Sequence, residues 1–192
     1  MNWFTEVGQA FAVSSSDGIM RRYFVVNGFD GALTMLGIVS GFYVGNADDL
    51  GIVLGACVGA AIALFMSGLS SAYISEAAER QKELAEMEQA MAKDLTDTAH
   101  GRAARWVPWM VGAVNGFSPF CIAMLILSPI GLAITGVSLP ASPLLMSLLL
   151  GLFSMFLLGV FLGKFAEINW LVSGLKSLVV GLVTTGIVLL VG

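Results

Sequence analysis

Apolar positions along the chain gather into five long runs, at about residues 23–45, 50–73, 107–127, 144–162 and 171–191, and only one of the polar interruptions between them is long. Each run reaches the roughly 18 residues that a helix needs to cross a hydrocarbon core of about 30 Å. None alternates with a period of two. Because lipid offers backbone groups no partner, the spans are expected to be helices rather than strands. The pattern therefore predicts an all-α integral membrane protein with five transmembrane helices and one cytoplasmic helix between the second and third spans.

Polar punctuation orients the spans. Ser14-Ser15-Ser16-Asp17-Gly18 carries helix-start chemistry, and Arg21-Arg22 forms a basic collar that places the N-terminus in the cytoplasm by the positive-inside rule. The acidic loop Asn46-Ala47-Asp48-Asp49 and the uncharged loop 136–143 belong outside, Lys164, Glu167 and Trp170 inside, and the C-terminus outside. Ser128-Pro129 is expected to end or kink the third span. Ahead of the collar, Trp3, Phe4, Val7, Ala10 and Phe11 recur at helical spacing, as either an interfacial helix or a disordered lead. No basic n-region precedes a continuous apolar core, so no signal peptide is expected. The resulting division is 1–22, an N-terminal cytoplasmic or interfacial segment; 23–73, spans one and two; 74–105, a cytoplasmic acidic helix; and 106–192, spans three to five.

The long interruption, residues 74–100, is rich in strong helix formers and reads as a soluble helix continuing the second span. At 100° per residue, Glu76, Glu79, Glu83 and Glu86 fall within an arc of about 80°, to which Asp94 and Asp97 would return. Carboxylates on one face either are simply solvated or share divalent ions, and Met87 beside them would add a thioether suited to a transition metal. His100 closes this segment as a surface residue.

Composition agrees with the membrane reading. The chain of 192 residues is 57% hydrophobic and only 11% charged, with a mean hydropathy of +0.90, whereas soluble domains carry about a quarter charged residues. The net charge of −4 comes with no basic patch, so no nucleic-acid partner is expected. Cys57 and Cys121 lie inside apolar runs and read as small core residues. There is no nucleotide-binding loop, zinc pattern or Ser/His/Asp set, so an enzyme is not expected.

Asp30 is the main chemical candidate. An ionised carboxylate at membrane depth costs about 2.5 to 3.5 kcal/mol even on lenient scales, so it faces an aqueous path or a partner, or else sits near a helix end and caps. Met66 in the second span either lines a path beside it or fills space. Val26-Asn27-Gly28-Phe29 recurs as Val114-Asn115-Gly116-Phe117, an offset of 88 that pairs Asp30 with Ser118 and raises an internal duplication.

Gly28-Phe29-Asp30-Gly31-Ala32-Leu33-Thr34, then Met66 and Ala72-Tyr73-Ile74-Ser75-Glu76-Ala77-Ala78-Glu79-Arg80, resemble the signatures of the vacuolar iron transporter family, whose members export ferrous iron and manganese. The regions from Gly116-Phe117-Ser118-Pro119 to Ser128-Pro129 and from Gly174 to Leu182 are also similar. The resemblance implies a homodimer of five-helix protomers, with the ion path between the two first spans and protons exchanged for metal. It makes Asp30 the embedded metal and proton carboxylate, Met66 a path ligand, and Glu76, Glu79, Glu83 and Glu86 a loading site. On the same resemblance no permanently bound cofactor is expected, and Fe2+ or Mn2+ is the expected cargo. The expected partners are divalent ions, protons, the bilayer and a second copy, and the expected location is a prokaryotic plasma membrane. The soluble insert is shorter than the helical bundle of plant members, and the body of the second span has no carboxylate. Rival readings are a transporter of another small solute and a non-transporting scaffold dimerised by its soluble helix.

Overall fold

A computed structural model describes residues 16–191; the N-terminal segment 1–15, including the helical spacing of its aromatic residues, lies outside the described residues. The described residues form five helices and no strand: α1 Ser16–Val44, α2 Leu50–Met91, α3 Ala99–Ile134, α4 Pro143–Phe165 and α5 Trp170–Val191. All five are long and apolar enough to cross a membrane, the architecture of a multi-pass membrane protein. Their ends follow local chemistry. Asp49 Oδ1 accepts from the N–H groups of Gly51 and Ile52 at the start of α2, Ser142 caps α4 ahead of Pro143, and Asn169 Oδ1 accepts from Leu171 and Val172 at the start of α5.

Three boundaries differ from the sequence expectation. The polar stretch from residue 74 continues the second span, as expected, but stops short of residue 100: α2 runs unbroken for 42 residues, about 63 Å at 1.5 Å per residue and about twice a hydrocarbon core, then ends at Met91. Ala92 turns left-handed (φ 48°), and the chain reverses through residues 92–98, where Glu88 accepts from the Leu95 N–H at 2.9 Å. The third helix accordingly starts at Ala99 rather than at 107. It also continues through Ser128-Pro129 to Ile134. Proline removes the N–H that would bond the Leu125 carbonyl, and the Ser128 hydroxyl donates to that carbonyl instead, at 2.7 Å.

The residues sort into two compact units. The first contains residues up to Phe24 and Phe65–Phe117. In it α2 and α3 pack antiparallel at glycines, since a Cβ on Gly68, Gly112 or Gly116 would lie 2.9 Å or less from a backbone carbonyl of the facing helix. Asn115 Nδ2 donates to the Gly68 carbonyl at 2.6 Å, so the contact is hydrogen-bonded as well as close. Beyond it, Ala72, Ala103, Val107 and Val111 form a small buried cluster against which Met20 and Tyr23 of α1 pack.

The second unit contains Val25–Leu64 and Ser118–Gly192. Its core draws Met35, Leu36 and Val39 from α1, Val53 and Cys57 from α2, Ile126 and Ile130 from α3, and Met155 from α4, all almost fully buried. Gly159 and Gly163 of α4 and Gly174 of α5 have no room for a Cβ, which lets α5 lie directly on α4. Leu145, Leu149, Phe153, Leu157 and Phe161 recur every fourth residue on the exposed side of α4, as a lipid-facing stripe does. At the crossing of α1 and α3, Gly31 lies against the backbone of Pro119, the residue 88 positions later, so equivalent positions of the suspected repeat meet there.

This crossing has a direct test. A Cβ on Gly31 would fall 2.5 Å from the Pro119 carbonyl oxygen, whereas one on Gly186 of α5 meets nothing within 4 Å. Gly31→Ala is expected to cost about 1–3 kcal/mol as an overpacked core substitution, and Gly186→Ala to be neutral or stabilising by up to about 1 kcal/mol through helix propensity. Thermal unfolding of the detergent-solubilised protein distinguishes the two; equal midpoints would mean that the α1–α3 approach is looser than described.

Candidate functional site

Asp30 lies eight residues beyond Arg22, about 12 Å along the helix axis, within a helix long and apolar enough to cross a membrane. The helix start at Ser16 removes the end-capping alternative. Its direction is set by the neighbouring glycines: Gly28 packs against Leu158 and Ser118, and Gly31 against Pro119, which leaves Asp30 exposed on the opposite side. Along that side, Val26, Asp30, Gly37 and Gly41 fall within an arc of about 60° at 100° per residue. Gly37 and Gly41 have nothing within 4 Å of where a Cβ would stand. The carboxylate therefore opens a flat, small-residue face that the second unit itself leaves uncovered.

Met66 belongs to the first unit and is 53% exposed. In the same unit the acidic face of α2 is only partly available. Glu76 is buried, and its Oε1 accepts from Arg80 Nε at 2.9 Å, while Arg80 Nη1 donates to Glu83 Oε2, also at 2.9 Å. One guanidinium thus ties up two of the four carboxylates. Of the other two, Glu79 is exposed and Glu86 stands 3.8 Å from Lys82 in a solvent-exposed pair. Glu79 and Glu86 are seven residues apart, about 10 Å of helix rise, too far to share one ion. Asp94 and Asp97 do not return to the face, because α2 ends before them. Asp94 closes its own turn, accepting from the Thr96 hydroxyl and N–H, and the hydroxyl above all holds its carboxyl below the ordinary 3.8. The support that this turn gains from the shift is complete above that ordinary value and fades as the pH falls through the lowered one.

Among the described residues, no three His, Cys, Asp or Glu side chains stand together as a metal site. The structure instead opens a hollow of about 470 Å³ between α2 and α3, bordered by Arg80, Glu83, Glu86 and Met87 on one wall and His100 on the other. His100 is exposed, as the sequence predicts, but it stands at the start of α3 and not at the end of α2. The reversal at 92–98 brings it back to the rim opposite Met87, and nothing in helical periodicity signals such a turn. Carboxylate, thioether and imidazole around one space form a donor set suited to transition metals. No family model, curated protein or solved structure matches the chain.

Arg80 is the restraint on this region. Arg80→Gln is expected to strip the buried Glu76 of its counter-charge and to cost on the order of 3–5 kcal/mol. Millimolar Mn2+ should restore part of that loss, since the freed carboxylates then need a cation. Unfolding midpoints with and without Mn2+ check this; a variant as stable as the parent would show that the ion pair is idle.

Proposed function

We propose that the protein is a transporter of divalent transition metals, ferrous iron or manganese, which moves the ion out of the cytoplasm in exchange for protons along a path at the interface of a homodimer. The observation that carries this reading is Asp30, exposed at mid-span on the α1 face that also bears Gly37 and Gly41. An ionised carboxylate facing lipid is costly, and small residues beside it let another membrane helix approach closely. A second copy related by a two-fold axis meets both demands, because it brings up its own Asp30 and encloses a crevice in place of lipid. Two carboxylates compensate one divalent charge. Protonation of the pair on the outer side then lowers its hold on the ion, and deprotonation resets it. The resemblance in the motifs around Asp30 and Met66 supports the same assignment and adds the Met66 thioether as a path ligand.

The hollow beside Glu86, Met87 and His100 is the proposed cytoplasmic entry. Its size, on the order of sixteen water volumes, suits a hydrated ion in passage, and Arg80 holds Glu76 and Glu83 back from binding it tightly.

Reconstituted proteoliposomes test the proposal. Asp30→Asn is expected to reduce Mn2+ flux and the coupled proton movement at least tenfold while leaving the unfolding midpoint within a few degrees. Unchanged flux and coupling in the folded variant would overturn the scheme.

A further inference from the structure

Closer to the apolar runs, the groove between α2 and α3 holds another hollow, of about 270 Å³, bordered by Tyr73 and Gln81 of α2 and by Gly101, Arg105, Pro108 and Trp109 of α3. It contrasts with its acidic neighbour because no carboxylate borders it. The polar groups it presents are the Arg105 guanidinium, the Trp109 indole N–H, the Gln81 amide and the Tyr73 phenol, and all four can donate a hydrogen bond. Arg105 is exposed and makes no hydrogen bond or ion pair among the described residues. Trp109 is 52% exposed but held in place, its ring centroid 4.4 Å from that of Tyr73. The result is an anion-accepting pocket with one fixed aromatic wall.

Its position in the chain narrows the anion. Tyr73 ends the second apolar run and Trp109 stands at the start of the third, so the hollow lies where both helices pass from apolar to polar sequence. Aromatic rings collect at that depth, and a guanidinium one turn outside it stands level with lipid phosphates. Arg22 is exposed at the same level, between Met20 and Tyr23, which pack on the cluster containing Ala103 and Val107. On the apolar side of the hollow, Trp109 and Phe117 leave half-exposed rings along α3. A ligand with a phosphate at one end and a hydrocarbon chain at the other fits this sequence of surfaces.

We propose that this hollow is a binding site for the headgroup of an anionic phospholipid, its phosphate on Arg105, its glycerol against Trp109 and Tyr73, and its acyl chain along Phe117. The site rests on this end of the helices lying at the membrane surface and is independent of whether the protein moves metal. The volume, on the order of nine water volumes, is enough to hold a phosphate with its glycerol.

The test is native mass spectrometry of the full-length protein in detergent, titrated with phosphatidylglycerol or phosphatidylcholine. The parent is expected to retain phosphatidylglycerol at least fivefold more tightly, Arg105→Gln to lose that preference, Arg105→Lys to keep part of it, and Arg22→Gln to change it less than twofold. Trp109→Leu, which leaves the charge in place, is expected to weaken both lipids about threefold and serves as the second probe if Arg105→Gln fails to fold. Equal retention of the two lipids by the parent, an Arg105→Gln variant that binds as the parent does, or displacement of the lipid by equimolar soluble glycerol phosphate would each overturn the proposal. Mn2+ flux that survives Arg105→Gln would leave the transport reading intact, so the two can fail separately.

Discussion

A charge-bearing side chain held at mid-span has to be neutralised, hydrated or paired, and in this chain the geometry decides where that happens. Gly28 and Gly31 lock one side of α1 against α3 and α4, with the backbone of Pro119 as the hard contact. The residue between them on the other side is turned outward by the same packing. Asp30 is thus presented by the fold, and no side-chain rotation returns it to the core, which Met35, Leu36 and Val39 fill on the opposite face. The remaining freedom is in what covers the carboxylate.

Glycine works in two different ways here. At Gly31, Gly68, Gly116 and Gly159 it removes the Cβ that would keep neighbouring helices of one unit apart, where dispersion and backbone contact replace the hydrophobic effect that lipid does not supply. At Gly37 and Gly41, and at Gly55 and Gly59 on α2, it faces nothing in the described structure. A glycine exposed on a helix sacrifices about 1 kcal/mol of propensity relative to alanine. Four such positions on two adjacent helices make sense where another backbone comes close, and the α1 pair lies on the same face as the one carboxylate of the span, about two and three turns further along.

Much of this was legible in the sequence. Apolar run length alone located all five helices, because the bilayer imposes a dimension that no tertiary contact overrides. Helix ends were less legible for reasons that are local. Pro129 does not stop α3 because the hydroxyl beside it satisfies the orphaned carbonyl, and α2 stops at Met91 because the reversal that follows is closed by Glu88 and Asp94, the latter of which looks on a helical wheel like a further member of the acidic face. The candidate residues divide in the same way. Asp30 stood out because a charge in an apolar run is rare. Arg80 between Glu76 and Glu83 was readable as an i,i+3 and i,i+4 arrangement, but the burial of Glu76 was not, because it depends on the facing helix. His100 and the Arg105 hollow arise from tertiary placement alone.

The central claim is that the Asp30 face of α1 is covered by the same face of a second copy. It is tested most directly by disulfide trapping in native membranes, in a chain whose buried Cys57 and exposed Cys121 are replaced by alanine. Because a disulfide needs Cα atoms within about 7 Å, Gly37→Cys is expected to yield a covalent dimer under mild oxidation, and Leu149→Cys on the outer face of α4 is expected to remain monomeric. Trapping through position 149 with none through position 37 would contradict the account, for Asp30 would then face lipid with no mate.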